Sequence, residues 1–361
     1  MSTMRAARFH AQKDIRVDEV PVPTPGNGQV LIDVAWCGIC GTDLHEYLEG
    51  PIFIPQCGHP HPISGEEPPV VMGHEFSGVV AALGEGVTDL EVGDHVVIEP
   101  YIIRPDVNTG PNSKTYHLSQ DMNFIGLGGH GGGLAEKIAV DRRWAHKISK
   151  DVPLDEAALL EPLTVGFHAV ERSDVQPGDV ALIGGAGPIG LLTAAVLKAQ
   201  GVTVVMSELS ALRRQKAIES GVADHAFDPR ETDVVEEVKK LTDGRGADVA
   251  FECTSVQVVL DTLMDAVRPR GVIVVVSIWG HRSDFDIHKL VMKEIDLRGT
   301  IAYVNNHPAT IELLESGKID LKPFITGRTG LDGLVDEGFD TLIHRNETAV
   351  KILVSPSGEG L

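Results

Sequence analysis

The chain is predicted to fold as an α/β protein of two domains, one mainly β and one built on a doubly wound parallel sheet. Three observations carry this. At 361 residues the chain is long for one core. Its first part reads as short apolar runs bounded by glycine and proline, and from about residue 165 to 305 strands and helices alternate.

In the first part, "QVLIDVAWCG" and "FSGVVAALG" are strand-like, and "EVGDHVVIEP" sets a Gly-Asp turn before another strand. From about 101 to 133, "RPDVNTGPNSK" and "GLGGHGGG" are loop chemistry. Near residue 155 the pattern changes to helical spacing in "LDEAALLEPLTVGFHAVER". Strand, glycine turn and helix follow in "DVALIGGAGPIGLLTAAVLKAQG", and the alternation continues to "GVIVVVSI". The tail ends in a helix and the strand "TAVKILVSP", which is expected to return to the first domain.

Net charge is −21 and the isoelectric point about 5.0, a surface that repels phosphate backbones and argues against nucleic acid or acidic lipid as partners. The start, "MSTMRAARFHAQ", lacks the apolar core of a secretory signal, so a cytoplasmic location is expected. The apolar run 271–279 is too short to span a bilayer. Four cysteines, Cys37, Cys40, Cys57 and Cys253, do not make a disulfide framework in a chain of this length.

Gly185, Gly187 and Gly190 form G-x-G-x-x-G between an apolar strand and an apolar helix, the context in which this triplet cradles a dinucleotide pyrophosphate. Pro188 and Ile189 complete the turn and are placed at the cofactor with the glycines. Glu208 lies 21 residues beyond Gly187, at the end of the next strand, where a carboxylate accepts from ribose hydroxyls and repels a 2′-phosphate. NAD is therefore expected over NADP, with Arg213 and Arg214 close by. Cys253 and Thr254 follow strand "DVAFE" at a carboxyl strand end; with Ser277, Ile278 and Trp279 they are expected to line the nicotinamide half.

Cys37 and Cys40 in "WCGICGTD" could be half of a structural zinc site, a redox pair, or one ligand beside a bystander; their spacing leaves all three open. His74 and Glu75 stand in the bend "GHEFSG", and Glu161 opens "EPL" at the change of pattern. Thiolate, imidazole and carboxylate are normal zinc donors, and three protein ligands leave a fourth position for substrate. Cys57, His59 and His61 in "PQCGHPHP" look like a further cluster on an exposed loop.

These residues resemble the zinc-containing medium-chain alcohol dehydrogenases. G-H-E-x-x-G with its trailing glycine matches from Gly73 to Gly84, and "VGDHV", "GAGPIG" and "SGKIDLKPFIT" extend the likeness over essentially the whole chain. The resemblance implies a GroES-like catalytic domain (1–160 and 307–361) and a Rossmann NAD-binding domain (161–306). It puts the zinc thiolate on Cys40, leaves Cys37 as core, and adds His74 and Glu161, with Glu75 exchanging onto the metal or supporting it. It implies that Thr42 takes the proton of a zinc-acidified alcohol and that His45 passes it outward. Thr42 could equally cap a helix, and Asp43 is expected to bond near the zinc loop. No cysteine-rich lobe exists between 99 and 133, so one catalytic zinc per subunit and no structural zinc is expected, with that lobe held by loop packing alone.

Within the family, "WCGICGTDLHEYLEGPIF" looks most like the (R,R)-butane-2,3-diol dehydrogenase branch. Where the sorbitol branch sets an arginine for polyol hydroxyls, this chain has Ala302 beside Tyr303. Phe53 and Tyr303 are expected at the substrate, with Ile278 and Trp279 as apolar walls. The expected activity is oxidation of a small vicinal diol to a hydroxyketone by NAD, in a homo-oligomer, dimer or tetramer. Sorbitol or threonine dehydrogenase is the alternative, and a nucleotide-binding protein without catalysis the reading from another class.

Overall fold

The computed structural model describes residues 2–361. Ten strands come first: β1 (Thr3–Ala11), β2 (Asp14–Pro21), β3 (Gln29–Gly38), β4 (Val70–Val71), β5 (Glu75–Leu83), β6 (His95–Ile98), β7 (Tyr101–Ile102), β8 (Asn123–Phe124), β9 (Lys137–Asp141) and β10 (Ala145–Ile148). Helix α1 (Gly41–Glu49) follows β3, and α2 (Leu154–Ala157) and α3 (Leu160–Glu171) lead into the alternating region.

There, β11 (Val180–Gly184), β12 (Thr203–Ser207), β13 (His225–Phe227), β14 (Ala247–Glu252), β15 (Val267–Val275) and β16 (Asp296–Gly299) alternate with α4 (Pro188–Ala199), α5 (Ala211–Glu219), α6 (Val234–Leu241), α7 (Gln257–Ala266) and α8 (Ile287–Lys293). All pairings in this sheet are parallel, in the order β13-β12-β11-β14-β15-β16. The chain then runs through α9 (His307–Glu315), β17 (Ile325–Gly330), α10 (Asp340–His344) and β18 (Lys351–Ser355).

Two compact units result. Unit 1 is Met1–Glu161, His307–Glu315 and Ile325–Leu361; unit 2 is Pro162–Asn306 and Ser316–Phe324. Segment Ser316–Phe324, which the sequence reading gives to the catalytic domain, packs with unit 2, where Lys216 Nζ of α5 donates to the Pro323 carbonyl at 3.1 Å.

Unit 1 is built on a seven-stranded sheet, β10-β6-β5-β3-β18-β17 with β9 also on β3. Its register places Gly38 opposite Glu75, and Cys37 between Phe76 of β5 and Val354 of β18. Alternation along β3 and β5 sends Val30, Ile32, Val34, Phe76 and Val80 into one apolar cluster, and Cys37, with 0% exposure, belongs to it. Unit 2 has its own core around Leu182, Val205, Ala250 and Ile273.

The 101–133 lobe is held by more than loop packing. Tyr116 donates its hydroxyl to Glu99, and Arg143 Nη1 sits 3.0 Å from the other oxygen of that carboxylate. Arg143 Nε also donates to the Thr109 carbonyl at 2.9 Å, and Tyr116 packs edge-on against Tyr101 at 5.4 Å. A buried carboxylate and an arginine 44 residues apart therefore anchor the lobe, in addition to its loop packing.

Candidate active site

Cys40 caps α1, and the side chain of Asp43 accepts from its N–H at 2.9 Å. Thr42 is therefore the second residue of the helix and not its cap; its Oγ1 lies 3.7 Å from Cys40 Sγ. His45, one turn further on, is exposed to solvent. The other oxygen of Asp43 faces His74 Nδ1 at 3.5 Å, close enough for its charge to act on the ring.

Local backbone chemistry explains why the G-H-E bend is needed. Gly73 has φ of +95°, and a Cβ there would fall 2.7 Å from Cys37 Sγ. Gly38 has no room either, because its Cβ would meet Glu75 Oε2 at 2.2 Å. Cys37 is thereby sealed between Gly73 and the sheet, and burial first of all drives its thiol well above the usual range. It is core, as the family likeness implies.

Cys40, His74 and Glu75 each offer a donor atom within 4.8 Å of the others. Glu75 is also gripped by Lys351, whose Nζ stands 2.9 and 2.6 Å from its two oxygens and donates to the Ile39 carbonyl at 3.1 Å. Sequence reasoning missed Lys351, since nothing in "TAVKILVSP" marks it as more than a strand residue. Burial opposes the charge on Lys351, but Glu75, Cys40 and Glu161 together raise its pKa. Glu161 is not one of the three converging donors; it is 5% exposed in the first turn of α3 and joins the cluster through that charge. Burial likewise opposes an imidazolium at His74, yet Asp43 and Cys40 hold its pKa well above normal. The pocket favours positive charge, and a thiolate, an imidazole and carboxylates are a donor set that fits zinc.

A second set of buried donors lies in the same unit: Glu99, His146 and His307. His146 Nε2 is 2.8 Å from Glu99 Oε2, and the two imidazoles stack at 4.9 Å. Burial would raise the Glu99 pKa, but the His146 hydrogen bond, His307 and Arg143 take it to about 2. Arg143 and Tyr116 already engage the two carboxylate oxygens, so positive charge is built in. The loop trio of the sequence reading does not assemble: Cys57 is exposed, and His61 Nδ1 accepts from Ile63 and Ser64 N–H at 3.4 and 3.3 Å.

In unit 2 the glycine turn is shaped for close approach. Gly185 has φ of +96°, Gly187 caps α4 with open space around it, and a Cβ on Gly190 would strike the Gly185 carbonyl at 2.0 Å. Pro188 opens the helix, Ile189 follows, and no side chain caps its first N–H groups, an arrangement that suits a pyrophosphate. Glu208 accepts from Ala186 N–H and Ser210 N–H at 2.7 Å each, which plants its carboxylate beside the turn. Arg214 is committed to Asp228 at 3.1 Å and to the Glu208 and Leu209 carbonyls at 2.7 Å, while Arg213 N–H caps onto Ser210 at 3.4 Å. Burial drives the Cys253 thiol upward, Ser277 is half-buried, and Ile278 is 55% exposed. Tyr303 is fully buried, whereas Phe53 in unit 1 is half-buried. The Phe53 ring meets Phe124 at 6.3 Å, and Phe124 in turn lies 6.3 Å from His74.

A cysteine-histidine-carboxylate cluster in one unit and a dinucleotide-type glycine turn in the other are the two halves of a zinc-dependent alcohol dehydrogenase. The chain belongs to the medium-chain zinc alcohol dehydrogenase family: residues 26–150 match the alcohol dehydrogenase GroES-like domain and 188–316 the zinc-binding dehydrogenase domain. It is 67% identical to an (R,R)-butanediol dehydrogenase of Neisseria gonorrhoeae over 98% of this chain and 100% of that one. The crystal structure of the 2R,3R-butanediol dehydrogenase from Bacillus subtilis superposes with a TM-score of 0.91 at 44% identity, covering 98% and 99% of the two chains. A sorbitol dehydrogenase of Bacillus subtilis is 33% identical over 98% of each chain.

Proposed function

We propose that the chain reversibly oxidises (R,R)-butane-2,3-diol to acetoin with NAD, at one zinc held by Cys40, His74 and Glu161. The observation that carries the chemistry is the convergence of Cys40 and His74 among buried acids; the substrate follows the 67% identity to the Neisseria protein. Bound zinc supplies a Lewis acid that eases deprotonation of the alcohol, and NAD supplies the two-electron acceptor. Thr42 receives the hydroxyl proton at Oγ1, and His45, exposed on the same helix face, hands it to water. Lys351 holds Glu75 beside the metal ligands. Phe53 and Tyr303 are assigned to the substrate on the family likeness, and Ala302 leaves out the guanidinium a longer polyol would use.

Glu208 favours NAD by repelling a 2′-phosphate, and the commitment of Arg214 to Asp228 removes a competing anchor. A homo-oligomer, dimer or tetramer, is supported by Ile287, Val291 and Met292 of α8, which are 59%, 63% and 69% exposed, beside the edge strand β16. No helix among the described residues is long and apolar enough to cross a membrane.

The test is NADH formation with the butanediol stereoisomers, 2-butanol, sorbitol and threonine. The R,R diol should have the highest kcat/KM. Losing the second hydroxyl leaves its polar partner unpaired, so 2-butanol should be poorer by about 1–3 kcal/mol. A higher kcat/KM for sorbitol or threonine would refute the substrate and leave the family intact.

A further inference from the structure

Glu252 ends β14, at the carboxyl edge of the parallel sheet where doubly wound folds take their ligands. It is fully buried, and its side chain is an acceptor for two separate segments. Oε1 receives the Thr254 N–H at 2.7 Å, the Thr254 hydroxyl at 2.6 Å and the Ser255 N–H at 2.9 Å. Oε2 receives the Trp279 indole N–H at 3.1 Å and the Ser277 hydroxyl. Ser277 Oγ in turn accepts from Ser255 N–H at 3.0 Å, closing the ring between the segments. The first of them also leans on the glycine turn, since a Cβ at Gly185 would lie 2.5 Å from Thr254 Cγ2.

We infer that Glu252 is the positioning residue for the nicotinamide half of the cofactor site: it clamps the turn after β14 to the segment after β15 and sets both against the glycine turn. The inference rests on the NAD reading above. A carboxylate suits the task because every neighbour that meets it is a donor, and an ionised acid is acceptor-only. An amide in its place would turn two N–H groups toward donors and leave buried groups unsatisfied. Glu208 lies on the far side of the glycine turn and serves the adenosine half, so the two carboxylates divide the cofactor between them.

The test compares NADH with ADP-ribose, which lacks the nicotinamide, by titration calorimetry on native protein and Glu252→Gln. The variant should bind NADH about tenfold more weakly. Its affinity for ADP-ribose and its zinc content should stay within about twofold of native. Glu252→Asp, which keeps the charge but shortens the arm, should show the same selective loss and serves if the glutamine variant does not fold. Unchanged NADH affinity, or a proportional loss of ADP-ribose, would overturn the assignment. Native protein that binds neither ligand would overturn the dinucleotide reading, and Glu252's role with it.

Discussion

The two buried clusters of unit 1 are made from the same materials and differ in where the compensating charge comes from. Around Cys40 and His74, Asp43 faces the imidazole while Glu75 and Glu161 act on Lys351, with negative charge to spare. Around Glu99, Arg143 balances the carboxylate and Tyr116 takes its second oxygen, with His146 and His307 as neighbours. A list of donor atoms therefore describes both, and only the charge balance separates a place for a divalent ion from a structural anchor. The first cluster needs a cation brought to it, while the second carries its own.

The widest gap should appear on removing the thiol. Cys40→Ala should lose its zinc by elemental analysis and more than about 1000-fold in kcat/KM. A variant that kept both would end the distinction at once. Next in size, Arg143→Ala strands a buried carboxylate and should cost about 3 kcal/mol in urea unfolding, with zinc content unchanged. Loss of zinc there, or a cost near zero, would mean that the second cluster had been misread.

Acid should separate the clusters further. Burial pushes His307 down to about 3 from 6.5, so below pH 6.5 the unfolded chain takes up a proton that the folded one refuses. Stability from His307 is thus present above pH 6.5 and lost as pH falls toward 3. Glu99, held near 2 against 4.5, adds a second loss that begins near pH 4.5. In chelator-treated protein the unfolding free energy should fall by about 1.4 kcal/mol per pH unit for each group inside its window. Glu99→Gln should flatten the lower window, and a profile that did not change would count against the pairing. The smallest effect belongs to Cys37→Ala, which trims the core by about 1–2 kcal/mol and should leave zinc bound.

Much of this was legible in the sequence because local rules wrote it. Gly185, Gly187 and Gly190 announce their turn through strand and helix on either side, and Gly73 announces the bend that carries His74. Cys40 was separable from Cys37 by family likeness but not by spacing, since both precede the same helix. Lys351, Glu99 and Glu252 were not legible as site residues. Each acts through a partner or a set of donors that only the folded sheet brings together, as with Lys351 on Glu75, 276 residues away. The lobe anchor escaped for the same reason: tyrosine, arginine and glutamate leave no motif when 17 and 44 residues part them.

The Lys351–Glu75 pair also has a history in time. Closing a loose loop of 276 residues would cost about 5 kcal/mol in chain entropy alone. That cost shrinks once the intervening chain has collapsed, and the sheet of unit 2 is complete by Gly299, well before β18. On a ribosome, unit 2 can fold while unit 1 still waits for its last strands. The cluster around Cys40, His74 and Glu75 is then the final piece assembled, and a nascent chain stalled before residue 351 should hold dinucleotide but be unable to balance Glu75.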